Sequence, residues 1–274
     1  MRIVIITGAS SGMGREFALQ LDKKLHSIDE YWLVGRNEEE LAKTKKKMHT
    51  KTRNFIADFN SRKALFPLVQ ELNNIQPEVK MLVNCAGFGM VGDFDRISYN
   101  DNLSMIDVNC RALTSLTHDC IPFMAVNSRI INLASAGAFN PQPGFAVYCA
   151  TKSYVLSFSR ALRGELKDLG IYVTAVCPGP VNTPFFNKAE RYGNVYAFKK
   201  LFMADQKAVV SKAIDDSIRC KEISVYGRTM RAYRVLAKVV PHRFIIELLN
   251  LIVIPFLSTL KLLMHFHQQN LNKI

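Results

Sequence analysis

The stretch Thr7-Gly8-Ala9-Ser10-Ser11-Gly12-Met13-Gly14 decides the fold of this 274-residue chain. It follows the apolar run Ile3-Val4-Ile5-Ile6, which is typical of a strand buried on both faces of a parallel sheet. It leads into an amphipathic stretch that we predict as a helix. Glycines let the backbone turn sharply and approach a diphosphate closely, and a helix N-terminus offers free N–H groups to it. A plain turn needs one glycine, so three predict a phosphate-binding loop.

The rest of the chain alternates short β-branched runs with helix-length segments. Strands are predicted at Arg2–Thr7, Tyr31–Gly35, Arg53–Ala57, Val79–Asn84, Arg129–Ala134, Ile171–Cys177 and Glu222–Gly227, and helices include Gly12–His26, Glu38–His49 and Phe145–Leu169. This alternation predicts an α/β fold with a Rossmann-like, doubly wound parallel seven-stranded sheet and right-handed crossovers. With no repeat and no low-complexity linker, residues 1–227 and a helical C-terminal extension over 228–274 are expected to form one structural unit.

The composition is that of an ordinary globular protein in a reducing compartment. Hydrophobic residues make up 49% and charged residues 22% of the chain, which is typical of a well-filled domain. The six cysteines include no Cys-x-x-Cys pair, so we expect reduced, mostly buried thiols. The N-terminus has no leader pattern, and a cytoplasmic protein is therefore predicted.

The net charge of +13 is unevenly distributed. Residues 199–274 hold thirteen Lys or Arg and five Asp or Glu. A second basic cluster comprises Lys43, Lys45, Lys46, Lys47, Lys51 and Arg53. We interpret this cluster as a solvated face, although such charge also attracts phosphorylated cofactors, acidic lipids or nucleic acid. No zinc-ligand spacing and no aromatic-basic RNA motif accompanies it, so neither a metal nor a nucleic-acid partner is predicted.

The end of the second predicted strand distinguishes the two nicotinamide dinucleotides. NAD sites carry an acidic residue there, which binds the ribose 2′-hydroxyl. Here the chain reads Val34-Gly35-Arg36-Asn37, with no carboxylate. The Arg36 guanidinium can pair with a 2′-phosphate, and Ser10 and Arg15 could assist. The alternative is that Arg36 is a surface arginine in a loop. We predict NADP(H).

Five further segments follow in a characteristic order. They are Asn84-Cys85-Ala86-Gly87 after the fourth strand, Asn109 within a predicted helix, Ser135 at the end of the fifth strand, Tyr148-Cys149-Ala150-Thr151-Lys152, and Pro178-Gly179-Pro180-Val181-Asn182-Thr183. Together with the glycine-rich turn, they resemble the short-chain dehydrogenase/reductase family from Arg2 to about Gly227. Ala134 and Cys85 depart from the residues that the family often has there, but neither position carries the chemistry.

The resemblance implies a role for each matched position. Ser135, Tyr148, Lys152 and Asn109 match the family's catalytic tetrad. Asp58 would contact the adenine, Asn84 with Ala86-Gly87 would support the adenosine ribose and the central strand, and Val181 and Thr183 would hold the nicotinamide carboxamide. The full set of implied cofactor-binding residues is Gly8, Ser10, Ser11, Gly12, Met13, Gly14, Arg36, Asp58, Asn84, Ala86, Gly87, Tyr148, Lys152, Pro178, Gly179, Val181 and Thr183. The family is usually dimeric or tetrameric, so a homodimer or homotetramer is expected.

Elementary chemistry supports the roles of the tetrad. Tyr148 and Lys152 are four residues apart and share a helix face. A free phenol has a pKa of about 10 and exchanges protons poorly near neutrality. We predict that the Lys152 ammonium lowers the pKa of Tyr148. Ser135 can donate a hydrogen bond to the substrate oxygen, and Asn109 can hold a water near Lys152.

The segment after the Pro-Gly turn bears on the substrate. The segment Asn182–Lys200 carries Phe185, Phe186, Tyr192, Tyr196 and Phe198. In the family this segment usually closes over the substrate, which favours a bulky hydrophobic ketone or alcohol, either steroid-like or long-chain acyl. Packing of the same aromatics against the domain is an equal alternative.

The C-terminal extension combines cations with apolar residues. In Arg228–Val240 the cations at 228, 231, 234 and 238 fall on one helical face, and an apolar face comprises Met230, Tyr233, Ala237 and Val240. In the apolar stretch Phe244–Phe266 the longest run without a charge is the 13 residues Leu248–Leu260, short of the roughly 20 that span a bilayer. We predict a helical cap over the cleft or a subunit contact. The alternative is an amphipathic element on an anionic membrane surface.

These observations predict an NADP(H)-dependent oxidoreductase that interconverts a ketone and a secondary alcohol. Residues 1–227 would bind NADP and perform catalysis, with a small hydrophobic substrate as partner. One alternative is a non-catalytic NADP-binding regulator or scaffold, although such proteins usually lose the tyrosine or the lysine. Another is an enzyme that acts on a lipid ketone at a membrane surface.

Overall fold

A seven-stranded parallel sheet forms the centre of the computed structural model, which describes residues 1–193 and 203–248. The strand order is β3-β2-β1-β4-β5-β6-β7, and every pairing is parallel. The strands are β1 (Arg2–Thr7), β2 (Glu30–Gly35), β3 (Thr52–Ile56), β4 (Glu78–Asn84), β5 (Arg129–Leu133), β6 (Tyr172–Val176) and β7 (Ile223–Ser224). The predicted fold class is confirmed.

Helices cover both faces of the sheet. The α-helices are α1 (Gly12–Lys24), α2 (Glu38–Lys45), α3 (Phe66–Ile75), α4 (Tyr99–Ile106), α5 (Ala112–Cys120), α6 (Ala146–Glu165), α7 (Phe185–Ala189), α8 (Gln206–Ile218) and α9 (Arg228–Val239). Core residues of α1, α2 and α8 pack on one face of the sheet, and those of α3, α4, α5 and α6 pack on the other. Within the described residues, no helix combines the length and the hydropathy needed to cross a membrane.

The first strand shows why the sequence selects this architecture. Ile3 and Ile5 point into one core, Val4 and Ile6 point into the other, and all four are fully buried. Burial of each such side chain contributes about 1.5–3 kcal/mol relative to exposure. A strand that is apolar at every position is stable only between two layers of helices.

The C-terminal part differs from its prediction at the last strand. Glu222–Gly227 was expected to be a strand, but only Ile223 and Ser224 pair with β6. This edge strand has one neighbour, and the chain turns away at Gly227, where φ is +83°, into α9. The predicted helical extension is confirmed over Arg228–Val239, and residues 242–248 are also helical.

The sheet order places a crevice beside the glycine-rich turn. β1 pairs with β2 on one side and β4 on the other. The connections that follow β1 and β4 therefore lead to strands on opposite sides of this pair. Ligands of open α/β sheets bind at this point, where the chain order reverses. The turn Gly8–Gly14 and the turn after β4 both lie here.

Candidate active site

The glycine-rich turn requires glycine at three of its positions. Gly8 and Gly12 have φ values of +69° and +50°, which side chains with a Cβ rarely adopt. A Cβ on Gly14 would lie 2.2 Å from the Gly8 carbonyl oxygen. The turn lines a cavity of about 250 Å³ together with Ala86 and Gly87, and no side chain caps the first turn of α1. This arrangement fits the diphosphate of a dinucleotide.

The turn after β4 is held to the end of β1 by side chains. Thr7 Oγ1 accepts hydrogen bonds from the backbone N–H groups of Cys85 and Ala86, both at 3.0 Å. Asn84 Nδ2 donates to Thr117 Oγ1 and Asn132 Oδ1, each at 2.9 Å. The Asn84 side chain is therefore directed into the protein rather than into the cleft. These bonds hold the turn against the central strands, and a contact of Asn84 with the cofactor stays a prediction.

The end of β2 presents one uncommitted guanidinium. Arg36 is exposed and lines the same cavity, and within residues 1–193 and 203–248 it forms no hydrogen bond or ion pair. Arg15, which was expected to assist, pairs with Glu40 at 2.6 Å and donates to Thr44 at 2.9 Å. Glu40 therefore already engages part of the Arg15 guanidinium, and assistance by Arg15 at the cofactor stays a prediction. Hydrogen bonds from Lys43 and Arg15 lower the pKa of Glu40 to about 2.

The acidic residue after β3 lies beside the cavity without lining it. Asp58 is exposed, and its Oδ1 accepts hydrogen bonds from the backbone and the side-chain amide of Asn60 at 3.2 and 2.9 Å. Phe59, rather than Asp58, is the lining residue. An adenine contact by Asp58 stays a prediction.

Three residues of the predicted tetrad line a second cavity of about 300 Å³. Ser135 follows β5, and its Oγ accepts a hydrogen bond from the Gly137 N–H at 3.1 Å. Tyr148 lies in the first turn of α6, close enough to Ser135 for a hydrogen bond between the two side chains. Lys152, one turn later, donates from Nζ to the Leu133 carbonyl at 2.7 Å and lies 5.7 Å from the centre of the Tyr148 ring.

The fourth residue of the predicted tetrad lies in a widened helical turn. Asn109 is within the π-helical turn Asp107–Arg111 between α4 and α5, a feature found frequently at functional sites. Its Nδ2 donates to the Phe88 carbonyl at 2.8 Å and to Thr151 Oγ1 at 3.0 Å, and its Oδ1 accepts from the Phe88 N–H at 3.0 Å. A Cβ on Gly87 would lie 2.9 Å from Asn109 Oδ1 and 3.3 Å from Lys152 Nζ. Asn109 therefore lies next to Lys152, while its role in holding a water stays a prediction.

Burial determines the ionisation of the tyrosine and the lysine. Burial raises the pKa of Tyr148, and the hydrogen bond with Ser135 opposes this rise. Burial also lowers the pKa of Lys152 to about 8. The direction for Tyr148 is opposite to our prediction, because the removal of water around the phenol outweighs the hydrogen bond with Ser135.

A Lys152→Met substitution is expected to make protein stability less dependent on alkaline pH. Between pH 8 and 10.5 the folded lysine has lost its proton and the unfolded lysine has not. The unfolded state binds more protons in this range, so this group makes the wild-type unfolding free energy rise with pH. We expect the stability advantage of the variant over wild type to fall by roughly 3 kcal/mol from neutral pH to pH 10.5. Urea unfolding of both proteins over this range measures the difference, and a constant difference would contradict the prediction.

The ring of Tyr148 is held by residues that the motifs do not include. Phe145 stacks on it with ring centres 4.2 Å apart, and Phe185 packs at 5.6 Å. A Cβ on Gly89 would lie 2.5 Å from Tyr148 Cδ2, so only glycine leaves room for the ring. Phe145 lies one residue before α6, and Gly89 lies in the loop after β4. Only this closeness to the predicted site residues could have pointed to them, because neither belongs to a motif in the sequence.

The remaining walls of the second cavity are mostly apolar, with Gln142, Thr183 and Thr229 as polar lining residues. Phe185, Phe186 and Tyr192 all pack against the core, and of these Phe185 and Phe186 also line the cavity. Tyr192 donates a hydrogen bond to Asp101 at 2.7 Å. Tyr196 and Phe198 lie outside the described residues. Met230 and Tyr233 of α9 also line the cavity, as predicted for a helical cap. Pro178, Gly179, Val181 and Thr183 lie at its edge.

Comparison with known proteins identifies the class that this fold and site define. Residues 2–192 match the family model described as short chain dehydrogenase. The chain belongs to the short-chain dehydrogenase/reductase family and is an oxidoreductase of that family.

Three relatives illustrate the range of this similarity. Sulfoacetaldehyde reductase 2 from Chromohalobacter salexigens is 34% identical over 67% of this chain and 74% of its own length. Estradiol 17-beta-dehydrogenase 11 from Mus musculus is 27% identical over 93% of this chain and 85% of its own. The structure of a short-chain dehydrogenase from Sphingobium yanoikuyae in complex with NADPH has a TM-score of 0.72 at 25% identity, covering 88% of this chain and 97% of that one.

Proposed function

We propose that this protein is an NADP(H)-dependent oxidoreductase that interconverts a ketone and a secondary alcohol on a bulky hydrophobic molecule, either steroid-like or long-chain acyl. The observation that carries the proposal is an apolar cavity with a polar cluster in its wall. The cluster comprises the hydroxyls of Ser135 and Tyr148 and the amine of Lys152. The cavity adjoins the glycine-lined one, because both share Met13, Gly87 and Thr183.

The polar cluster can handle the proton that carbonyl reduction requires. A bound nicotinamide supplies the hydride for reduction and accepts it for oxidation. Ser135 donates a hydrogen bond to the substrate oxygen, where negative charge develops. Tyr148 Oη transfers its proton to that oxygen and completes the alcohol. Lys152, protonated below about pH 8, stabilises the phenolate left behind, and oxidation of the alcohol reverses each transfer.

The walls favour a hydrophobic substrate over a small anionic one. Phe145, Phe185, Phe186 and Met230 surround the polar cluster, and apolar walls with few polar groups are typical of sites for such ligands. Lys152 is the sole cation among the described lining residues, and it already donates to the Leu133 carbonyl. A sulfonate like that of the substrate named for the Chromohalobacter relative would lack a dedicated cation here. The name of the mouse relative, an estradiol dehydrogenase, supports the hydrophobic class.

Turnover with purified protein tests this function. We expect NADPH absorbance to fall with bulky aromatic or long-chain ketones, and to fall much more slowly with small polar aldehydes. Binding of NADPH without turnover on any ketone or alcohol would instead favour the non-catalytic regulator.

An Arg36→Asp substitution is expected to change the cofactor preference. Loss of a charged hydrogen bond to the 2′-phosphate should raise the KM for NADPH by about 10- to 100-fold. The KM for NADH should change little or improve, because a carboxylate at this position can bind the ribose 2′-hydroxyl. Initial rates with each cofactor measure both values.

Arg219→Asp is the matched control for this change in charge. Arg219 is exposed and lies between α8 and β7. It precedes the amino end of a strand, whereas the cleft lies at the carboxyl ends of the strands. This substitution should leave the ratio of the two KM values unchanged. Equal effects of Arg36→Asp on NADPH and NADH would refute the assignment of Arg36.

A further inference from the structure

Helix α9 has two faces that contact different surroundings. Its inner face forms part of the wall of the second cavity: Met230 and Tyr233 line it, and Ala237 is buried. The Tyr233 hydroxyl donates a hydrogen bond to Asn140 Oδ1, and the Tyr233 ring lies 6.4 Å from that of Phe139. These contacts account for the inner face of the helix.

The outer face exposes apolar side chains that nothing described covers. Val235, Leu236 and Val239 are 62%, 53% and 74% exposed. The following helical segment, residues 242–248, adds Phe244 and Leu248, which are also largely exposed. The sequence continues without a charge to Leu260. Exposed apolar groups clustered in this way mark an interaction surface.

Cations lie beside this apolar strip. Arg228, Arg231, Arg234, Lys238 and Arg243 are exposed. None of these five forms an ion pair with another described residue, and the sequence from 228 to 246 contains no acidic residue. Long basic side chains can lie along apolar surface and extend their charges to lipid phosphates.

We propose that the outer face of α9 and residues 242–248 dock on an anionic phospholipid bilayer, so that a lipid-soluble substrate enters the cavity from the membrane. The substrate route rests on the proposed function, whereas the docking does not. A bilayer with anionic headgroups complements both the apolar strip and the cations. A second copy of this face would bring cations against cations, and nucleic acid would leave the apolar side chains without a partner.

Co-sedimentation of the full chain with lipid vesicles tests the docking. We expect binding to phosphatidylcholine vesicles that contain phosphatidylglycerol, and much weaker binding to pure phosphatidylcholine. Replacing Arg231, Arg234 and Lys238 together with Gln should weaken binding by about two orders of magnitude, since each cation near an anionic surface contributes roughly fivefold. Replacing Val235, Leu236 and Val239 together with Ser should weaken it as well.

The chain supplies a matched control for lost charge. Lys45, Lys46 and Lys47 are exposed, form no ion pair within the described residues, and lie in and just after α2. Their joint replacement with Gln removes the same charge and should leave vesicle binding within about twofold. All three variants alter exposed side chains, so their unfolding temperatures should match that of wild type.

Several outcomes would overturn the proposal. These are absence of wild-type binding, equal binding to both kinds of vesicle, equal loss in the α2 control, and retention on duplex DNA as strong as on vesicles. Conversion of an oligomer to a monomer by the Ser variant, without any vesicle binding, would assign the face to a second copy. A fall in the unfolding temperature of that variant, without vesicle binding, would assign it to a segment of the chain itself. Vesicle binding is measured without cofactor or substrate. A protein that reduces ketones without binding vesicles would refute the docking alone, and one that binds vesicles without reducing ketones would refute the proposed function alone.

Discussion

A Tyr148→Phe protein is expected to lose about 10²–10⁴-fold in kcat for carbonyl reduction. The substitution removes the O–H that supplies the proton to the substrate oxygen and keeps the ring. The ring contacts with Phe145 at 4.2 Å and Phe185 at 5.6 Å therefore remain, and the fold should be preserved. NADPH affinity should change by less than about tenfold, the scale of one lost hydrogen bond. Steady-state rates with a bulky ketone, together with a cofactor-binding titration, measure both quantities.

Tyr154→Phe is the matched control on the same helix. Tyr154 is partly exposed, and its hydroxyl shares a hydrogen bond with Thr114 Oγ1 at 2.7 Å, outside both cavities. We expect near wild-type turnover from this variant. Full turnover by Tyr148→Phe, or an equal loss in Tyr154→Phe, would contradict the role of Tyr148 as proton donor.

The second large effect is expected from Gly14→Ala in the glycine-rich turn. The added methyl would lie 2.2 Å from the Gly8 carbonyl oxygen and 2.5 Å from its carbon. Both are backbone atoms, so the turn itself must move away from the geometry that accepts a diphosphate. We expect NADPH affinity to fall by more than about 100-fold and the free energy of unfolding to fall by about 1–3 kcal/mol. Fluorescence titration with NADPH and urea unfolding measure these two changes.

Gly164→Ala is the control for adding a methyl to a helical glycine. Gly164 lies in α6, and no atom outside the neighbouring helical backbone is within 4 Å of its Cβ position. Alanine restricts the unfolded chain and favours the helix. The free energy of unfolding of this variant should therefore rise by about 0.5–1 kcal/mol. The variant should also bind NADPH as wild type does. Wild-type affinity in Gly14→Ala would show that the close approach of Gly14 to Gly8 is not required.

A sequence does not reveal which partners already engage a polar group of the site. Arg15 was predicted as an aid at the cofactor, and the structure adds that Glu40 from α2 pairs with it. Asn84 was expected to support the ribose and the central strand, and the structure adds that its amide donates to Thr117 and Asn132. Each partner comes from a distant part of the chain, and no local pattern predicts such a contact.

The Tyr148 pKa was predicted in the wrong direction for a related reason. A spacing of four residues establishes that Tyr148 and Lys152 share a face of α6. It does not establish how much water surrounds them. The rings of Phe145 and Phe185 and the position of Gly89 bury the phenol, and burial then governs its pKa.

The sequence by itself determined the architecture of this protein and the identity of its glycine-rich turn. Those features are local. An apolar run such as Ile3–Ile6 can be buried only between two layers of helices, and three glycines in one turn are typical of a dinucleotide-binding loop. Tertiary structure alone decided which aromatic residues form the wall around Tyr148, that α9 forms part of the cavity wall, and that its opposite face stays exposed. These depend on contacts between segments far apart in the chain, because burial and packing are properties of the folded whole.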